Sequence, residues 1–157
     1  MDAQLTEDLP FKILRREWQP VALGIALKQY HVKSFVLLNT EIVIARFSSG
    51  LLAAENSCPH KGARLSLGSV CGDYLQCAYH GWQFEKEGNC INIPSLINPP
   101  PNKLKISKLK KYEVQERYGM IWVQMEKDES NCLPEVPEFE NQSVMSRCLM
   151  RMVLFKV

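Results

Sequence analysis

Four side chains in two short stretches of this chain are able to do metal chemistry together. They are Cys58 and His60 in Cys58-Pro59-His60, and Cys77 and His80 in Cys77-Ala78-Tyr79-His80. Each stretch offers one thiolate and one imidazole rather than a pair of either. Zinc is the first alternative to weigh, because two Cys and two His are a common zinc set. Zinc sites usually take both cysteines first and both histidines after a spacer, so that each pair closes one turn. Here the order is Cys, His, Cys, His. The flanks match as well, since both stretches run into glycine, in His60-Lys61-Gly62 and His80-Gly81. A glycine lets backbone N–H groups approach an inorganic sulfide with no Cβ in the way.

The interleaved order is that of a Rieske-type [2Fe–2S] centre, in which two Cys hold one iron and two His hold the other. Exchanging two anionic thiolates for neutral rings leaves the cluster less negative, so it accepts an electron more readily and its potential rises. Cys58, His60, Cys77 and His80 are accordingly the expected metal and cofactor-binding residues, and no residue is expected to be catalytic.

Loops of this kind need rigid strands to carry them. Phe35–Asn39, Glu41–Phe47 and Leu51–Asn56 are short β-type runs, the last two joined through Ser48-Ser49-Gly50. Ser69–Cys71 and Tyr74–Cys77 flank the turn Gly72-Asp73, and Trp82–Phe84 and Asn89–Ile93 flank Glu85–Gly88, so hairpins lead into and out of both loops. A last hairpin pairs Tyr112–Glu116 with Gly119–Met125, where Ile121-Trp122-Val123 is strongly strand-forming. The fold class expected is all-β, a Rieske-type antiparallel sandwich with a smaller cluster-binding subdomain. Pro94–Pro101 should run as an exposed loop. Lys103, Lys105, Lys108, Lys110 and Lys111, interleaved with Leu104, Ile106 and Leu109, read as a half-buried edge strand whose lysines block sheet association.

With 157 residues, 46% of them hydrophobic, the chain suits one domain with its own core. Residues 1–20 lack an apolar signal-peptide region, and the longest uncharged apolar run, Val21–Leu27, is far short of a membrane span, which suggests a cytoplasmic protein with no membrane span. A net charge of +2 gives no reason to expect a nucleic-acid partner. Of the 6 cysteines, Cys71, Cys90, Cys132 and Cys148 read as core fillers or surface thiols rather than a disulfide framework.

Trp18-Gln19-Pro20-Val21, the block from Asn56 to Gly68, and Leu75 to Phe84 together resemble the N-terminal Rieske domain of non-haem-iron ring-hydroxylating oxygenase α subunits, on the pheophorbide a oxygenase-like branch. Tyr112 to Val123 is similar to their domain-closing hairpin. The resemblance implies that Cys58 and Cys77 ligate the inner iron and His60 and His80 the outer, more exposed one. Two departures touch no ligand: Lys61 stands where the family usually has Arg, and Ala78 where it usually has Pro. Respiratory Rieske proteins of high potential carry an extra disulfide and a Ser after the second-loop glycine. Ala63, Tyr79 and Trp82 hold those places here, which implies a potential near the lower end of the range.

Oxygenases of this family also need a mononuclear iron held by two His and a carboxylate. The chain has 3 histidines, and with His60 and His80 assigned only His31, read as an ordinary surface residue, is left. The function expected is therefore electron transfer, from a reductase or ferredoxin donor to an oxygenase site not contained in these residues. A free-standing Rieske ferredoxin and a redox-sensing or scaffold protein are the alternatives, and a homo-oligomer is left open. The domain is expected over 15–125, after an N-terminal extension over 1–14. Residues 126–157 read as an acidic linker and an apolar segment, Met145–Val157, resembling the start of an element whose partners lie elsewhere.

Overall fold

The structure is a computed structural model that describes residues 9–96, 104, 107–133 and 135. After the short helix α1 (Leu9–Arg16), ten strands follow among these residues: β1 (Gln19–Leu23), β2 (Val32–Leu37), β3 (Thr40–Phe47), β4 (Gly50–Glu55), β5 (Ser69–Cys71), β6 (Tyr74–Gln76), β7 (Gln83–Glu85), β8 (Cys90–Asn92), β9 (Lys111–Arg117) and β10 (Met120–Gln124). They form two sheets, one of order β1-β10-β9-β4-β3-β2 and one of order β5-β6-β7-β8, with antiparallel pairing throughout. The expected all-β antiparallel class is what the chain adopts.

β3 explains how the two sheets share one molecule. Its run Ile42-Val43-Ile44-Ala45 is buried on both faces. Successive side chains point to opposite faces of a strand. Ile42 and Ile44 thus pack with Ala53, Tyr112, Ile121 and Val123 in one core. Val43, Ala45 and Phe47 pack with Leu65, Leu75, Phe84, Cys58 and Cys77 in the other. The second core is the floor under both Cys–His loops. A fully apolar run of this length is the pattern of a strand covered on both sides.

The turns of three hairpins are tied at the far end of the small sheet. Asp73, in the β5–β6 turn, accepts hydrogen bonds from Ser48 Oγ at 2.5 Å, Ser49 Oγ at 3.1 Å and Ser49 N at 3.3 Å in the β3–β4 turn. Lys86, in the β7–β8 turn, donates to Ser49 O at 3.0 Å. The bonds from Ser48 and then Ser49 hold the Asp73 carboxyl below its ordinary value, since each favours the ionised form.

One strand adds to the sequence reading, and one stretch departs from it. β1 is a strand despite Pro20, because it is an edge strand, paired only with β10, and the register shifts between Pro20 and Ala22. The lysine-rich stretch is not an edge strand over its described residues. Ser107–Lys110 is irregular, with Leu109 buried and its N–H donating to Gly88 O at 2.9 Å. β9 begins only at Lys111 and lies inside the sheet, between β10 and β4. Lys103, Lys105 and Ile106 lie outside the described residues, as does most of the proline-rich loop.

Candidate metal centre

Both Cys–His loops leave the second strand of a hairpin, the first from β4 and the second from β6. Each then closes with the same pair of backbone bonds. In the first, Cys58 N–H donates to Ala63 O and Gly62 N–H donates to Cys58 O, both at 2.8 Å. In the second, Cys77 N–H donates to Trp82 O at 2.9 Å and Gly81 N–H donates to Cys77 O at 3.0 Å. Gly62 and Gly81 occupy the left-handed region, at φ +69° and +70°. That conformation is a second reason for glycine at these places. Their N–H groups are spent on the cysteine carbonyls, and the turn needs glycine for its dihedral angles.

The common frame delivers like groups to like places. Cys58 and Cys77 are both 2% exposed and share the core with Leu65, Leu75 and Phe84. Burial pushes the Cys58 thiol up to about 12, against the lowering effect of the His60 backbone N–H, and the neighbouring Cys77 thiol pushes it further in the same direction. A thiol shifted in this way resists ionising alone, whereas a bound cation deprotonates a coordinating thiol outright. The histidines are graded differently. His60 is half-buried with its Nδ1 inside the protein, and His80 is exposed. Their rings meet edge to face with centroids 4.6 Å apart.

The two thiols are thus neighbours in one core, and the two imidazoles are in contact with each other. Among the described residues, however, no three of His, Cys, Asp and Glu group so as to hold a single metal ion. A structural zinc needs four such ligands on one ion, whereas a binuclear Rieske centre asks two of each iron. The donor chemistry, two buried thiols behind two imidazoles, fits the binuclear group. His31 is exposed, as expected of a surface residue. Cys90 is buried in the core beneath the loops, Cys71 is half-buried and Cys132 exposed, while Cys148 lies outside the described residues.

Three supporting contacts carried no signal in the local sequence. Asn56, 5% exposed and just ahead of the first loop, accepts from Ser66 N at 2.8 Å and donates to Ser66 Oγ at 2.9 Å, pinning the turn after that loop. The indole of Trp82 lies flat against His60, with centroids 4.5 Å apart and planes within 8°. Tyr79, 65% exposed, packs its ring on His80 at 3.9 Å.

Comparison with known proteins settles the kinship. The Rieske [2Fe-2S] domain family matches residues 17–113. This chain belongs to that family. The Rieske protein is 39% identical over 132 residues to the methylxanthine N1-demethylase NdmA of Pseudomonas putida, a match that covers 80% of this chain and 36% of NdmA. It is 36% identical over 129 residues to the chloroplastic protein TIC 55 of Arabidopsis thaliana, covering 80% of this chain and 23% of that protein. Its fold superposes on the solved structure of NdmA from Pseudomonas putida CBB5 with a TM-score of 0.74 and 34% identity, over 83% of this chain and 41% of NdmA. The Rieske protein therefore spans well under half the length of these relatives. Its cofactor is a [2Fe–2S] cluster with two Cys and two His ligands, and electron transfer is the role such a domain supports. Among the described residues no helix is long and apolar enough to cross a membrane.

Proposed function

We propose that Cys58 and Cys77 hold the inner iron of the cluster and His60 and His80 the outer one. In this reading the chain, chiefly its residues 15–125, passes single electrons from a reductase or ferredoxin to a non-haem iron site of an oxygenase. The observation that carries this is the grading of the two loops. One backbone frame, used twice, buries both thiols and leaves one imidazole exposed and the other half-buried. When bound, the cluster supplies one-electron redox chemistry. The protein supplies the rest. The core beneath the loops keeps water from the thiolates, the edge-to-face imidazoles set the exposed side, and Tyr79 and His80 form the surface a partner would meet.

The oxygenase site itself is assigned to residues other than these. Two assigned histidines out of 3 leave only His31, too few for an iron held by two His and a carboxylate. NdmA and its solved structure, a demethylase by name, support an oxygenase-type partner in the same longer protein or a separate one.

Metal analysis and anaerobic titration of the full chain test this reading. The expected result is two irons, two acid-labile sulfides and uptake of one electron per chain, at a potential toward the lower end of the roughly −150 to +300 mV Rieske range. One zinc and no sulfide would overturn it. A further expectation is that the reduced chain alone consumes no methyl-ether or aromatic substrate with oxygen, as followed by product chromatography after loading with ferrous iron.

A further inference from the structure

Trp82 does something that neither the family match nor the ligand assignment explains. It belongs to the second loop, yet its indole lies parallel to the imidazole of the first, 4.5 Å from His60 and within 8° of its plane. It is 7% exposed, and its Nε1 is buried with no hydrogen-bond partner among the described residues. The other two tryptophans set the contrast. Trp18 Nε1 donates to Asn131 O and Trp122 Nε1 to Arg117 O, each at 3.0 Å. Buried N–H groups are nearly always paired, because leaving one unmade forfeits its bond to water. A buried, unpaired donor in contact with a ligand residue is therefore best understood as reserved for an acceptor that arrives with the cofactor.

We propose that Trp82 is the positioning residue for His60, and that its indole N–H is held for a sulfur of the cluster; this rests on the ligand assignment above. The stack leaves the imidazole one ring plane, so its nitrogen lone pair stays aimed while the iron changes charge. Aromatic stacking of this kind adds to simple burial. The N–H has a separate consequence. A donor to sulfur stabilises the reduced, more negative state and raises the potential. In this second loop the residue after glycine would thus tune the cluster through an indole.

The test uses the iron-loaded full chain and two variants. Trp82→Phe keeps a ring over His60 and removes the N–H. It should retain iron, sulfide and the wild-type EPR line shape while its potential falls. A roughly tenfold lower ratio of reduced to oxidised protein at a given solution potential corresponds to ~59 mV for a one-electron couple. Trp82→Leu removes ring and donor together, and should show the same fall plus broadened or displaced EPR g-values. If Trp82→Leu does not fold, Trp82→Met takes its place as the ringless variant. A Trp82→Phe potential equal to wild type overturns the role of the N–H, and wild-type g-values in the ringless variant overturn the positioning role. A wild-type chain that binds zinc without sulfide overturns the cluster assignment and this proposal with it, an outcome visible before any variant is compared.

Discussion

The two Cys–His loops are near copies in backbone and unlike in exposure. Each closes with a bond from the cysteine N–H to the carbonyl five residues on, and from a left-handed glycine back to the cysteine carbonyl. Both thiols end up in the same core. The histidine falls two residues after cysteine in the first loop and three after it in the second, and that single-residue offset goes with a half-buried His60 and an exposed His80. One frame can therefore hold a cofactor symmetrically on its inner side and present it asymmetrically on its outer side. For an electron carrier this is useful, because one iron edge must be reachable and the thiolates must not be.

The strongest break in the comparison should come at the groups the frame makes equivalent. Cys58→Ser and Cys77→Ser should each abolish cluster assembly, read as loss of iron, sulfide and visible absorbance. Both should also lower the thermal midpoint, since cofactor binding and folding are coupled. One variant retaining a full cluster would show that the two loops are not equivalent in ligation.

A smaller difference should separate the glycines. Gly62→Ala and Gly81→Ala both force a side chain into the left-handed region, at a cost of roughly 1–2 kcal/mol. The sites differ in space. Among the described residues a Cβ at Gly62 would meet only Ser57 Oγ, at 3.9 Å, whereas one at Gly81 would lie 3.2 Å from Pro94 Cγ. Gly81→Ala should thus be the more destabilising in denaturant melts. Equal losses would mean that Pro94 yields without strain.

The smallest effect concerns what keeps the two loop-bearing hairpins in register. Their turns meet at Asp73, whose carboxyl is held below its ordinary value of 3.8, first by Ser48 and then by Ser49. A group with a lowered folded pKa contributes stability that is present above the unfolded value and lost as pH falls through the folded one. Asp73→Asn should therefore lower the melting temperature modestly at neutral pH and flatten its decline below about pH 4. A variant with the wild-type decline would assign that slope to other carboxylates.

Much of the site was legible in the sequence because metal chemistry is local. The order Cys, His, Cys, His and the glycines that follow lie in two short stretches, and the strands around them announce themselves by β-branched runs such as Ile42-Val43-Ile44 and by the Gly72-Asp73 turn. Eight strand segments were placed within a residue or two of β3 to β10. What failed locally was what depended on a distant partner. β1 contains a proline and reads as a strand only once β10 is beside it. The lysine-rich stretch alternates like an edge strand, yet Leu109 is drawn under Gly88, and the strand starts at Lys111, where β4 and β10 leave it a place inside the sheet.

By itself the sequence determined which side chains could take part in the chemistry, since ligand identity and order are covalent facts that folding does not alter. Tertiary structure alone decided how those side chains are presented. Burial of both thiols comes from the second face of β3, in a different hairpin from the second loop. The stack of Trp82 on His60 joins two loops that are separated in the chain by β5 and β6. The physical reason is that burial, stacking and exposure are properties of pairs brought together across the chain, and local composition carries no record of the partner.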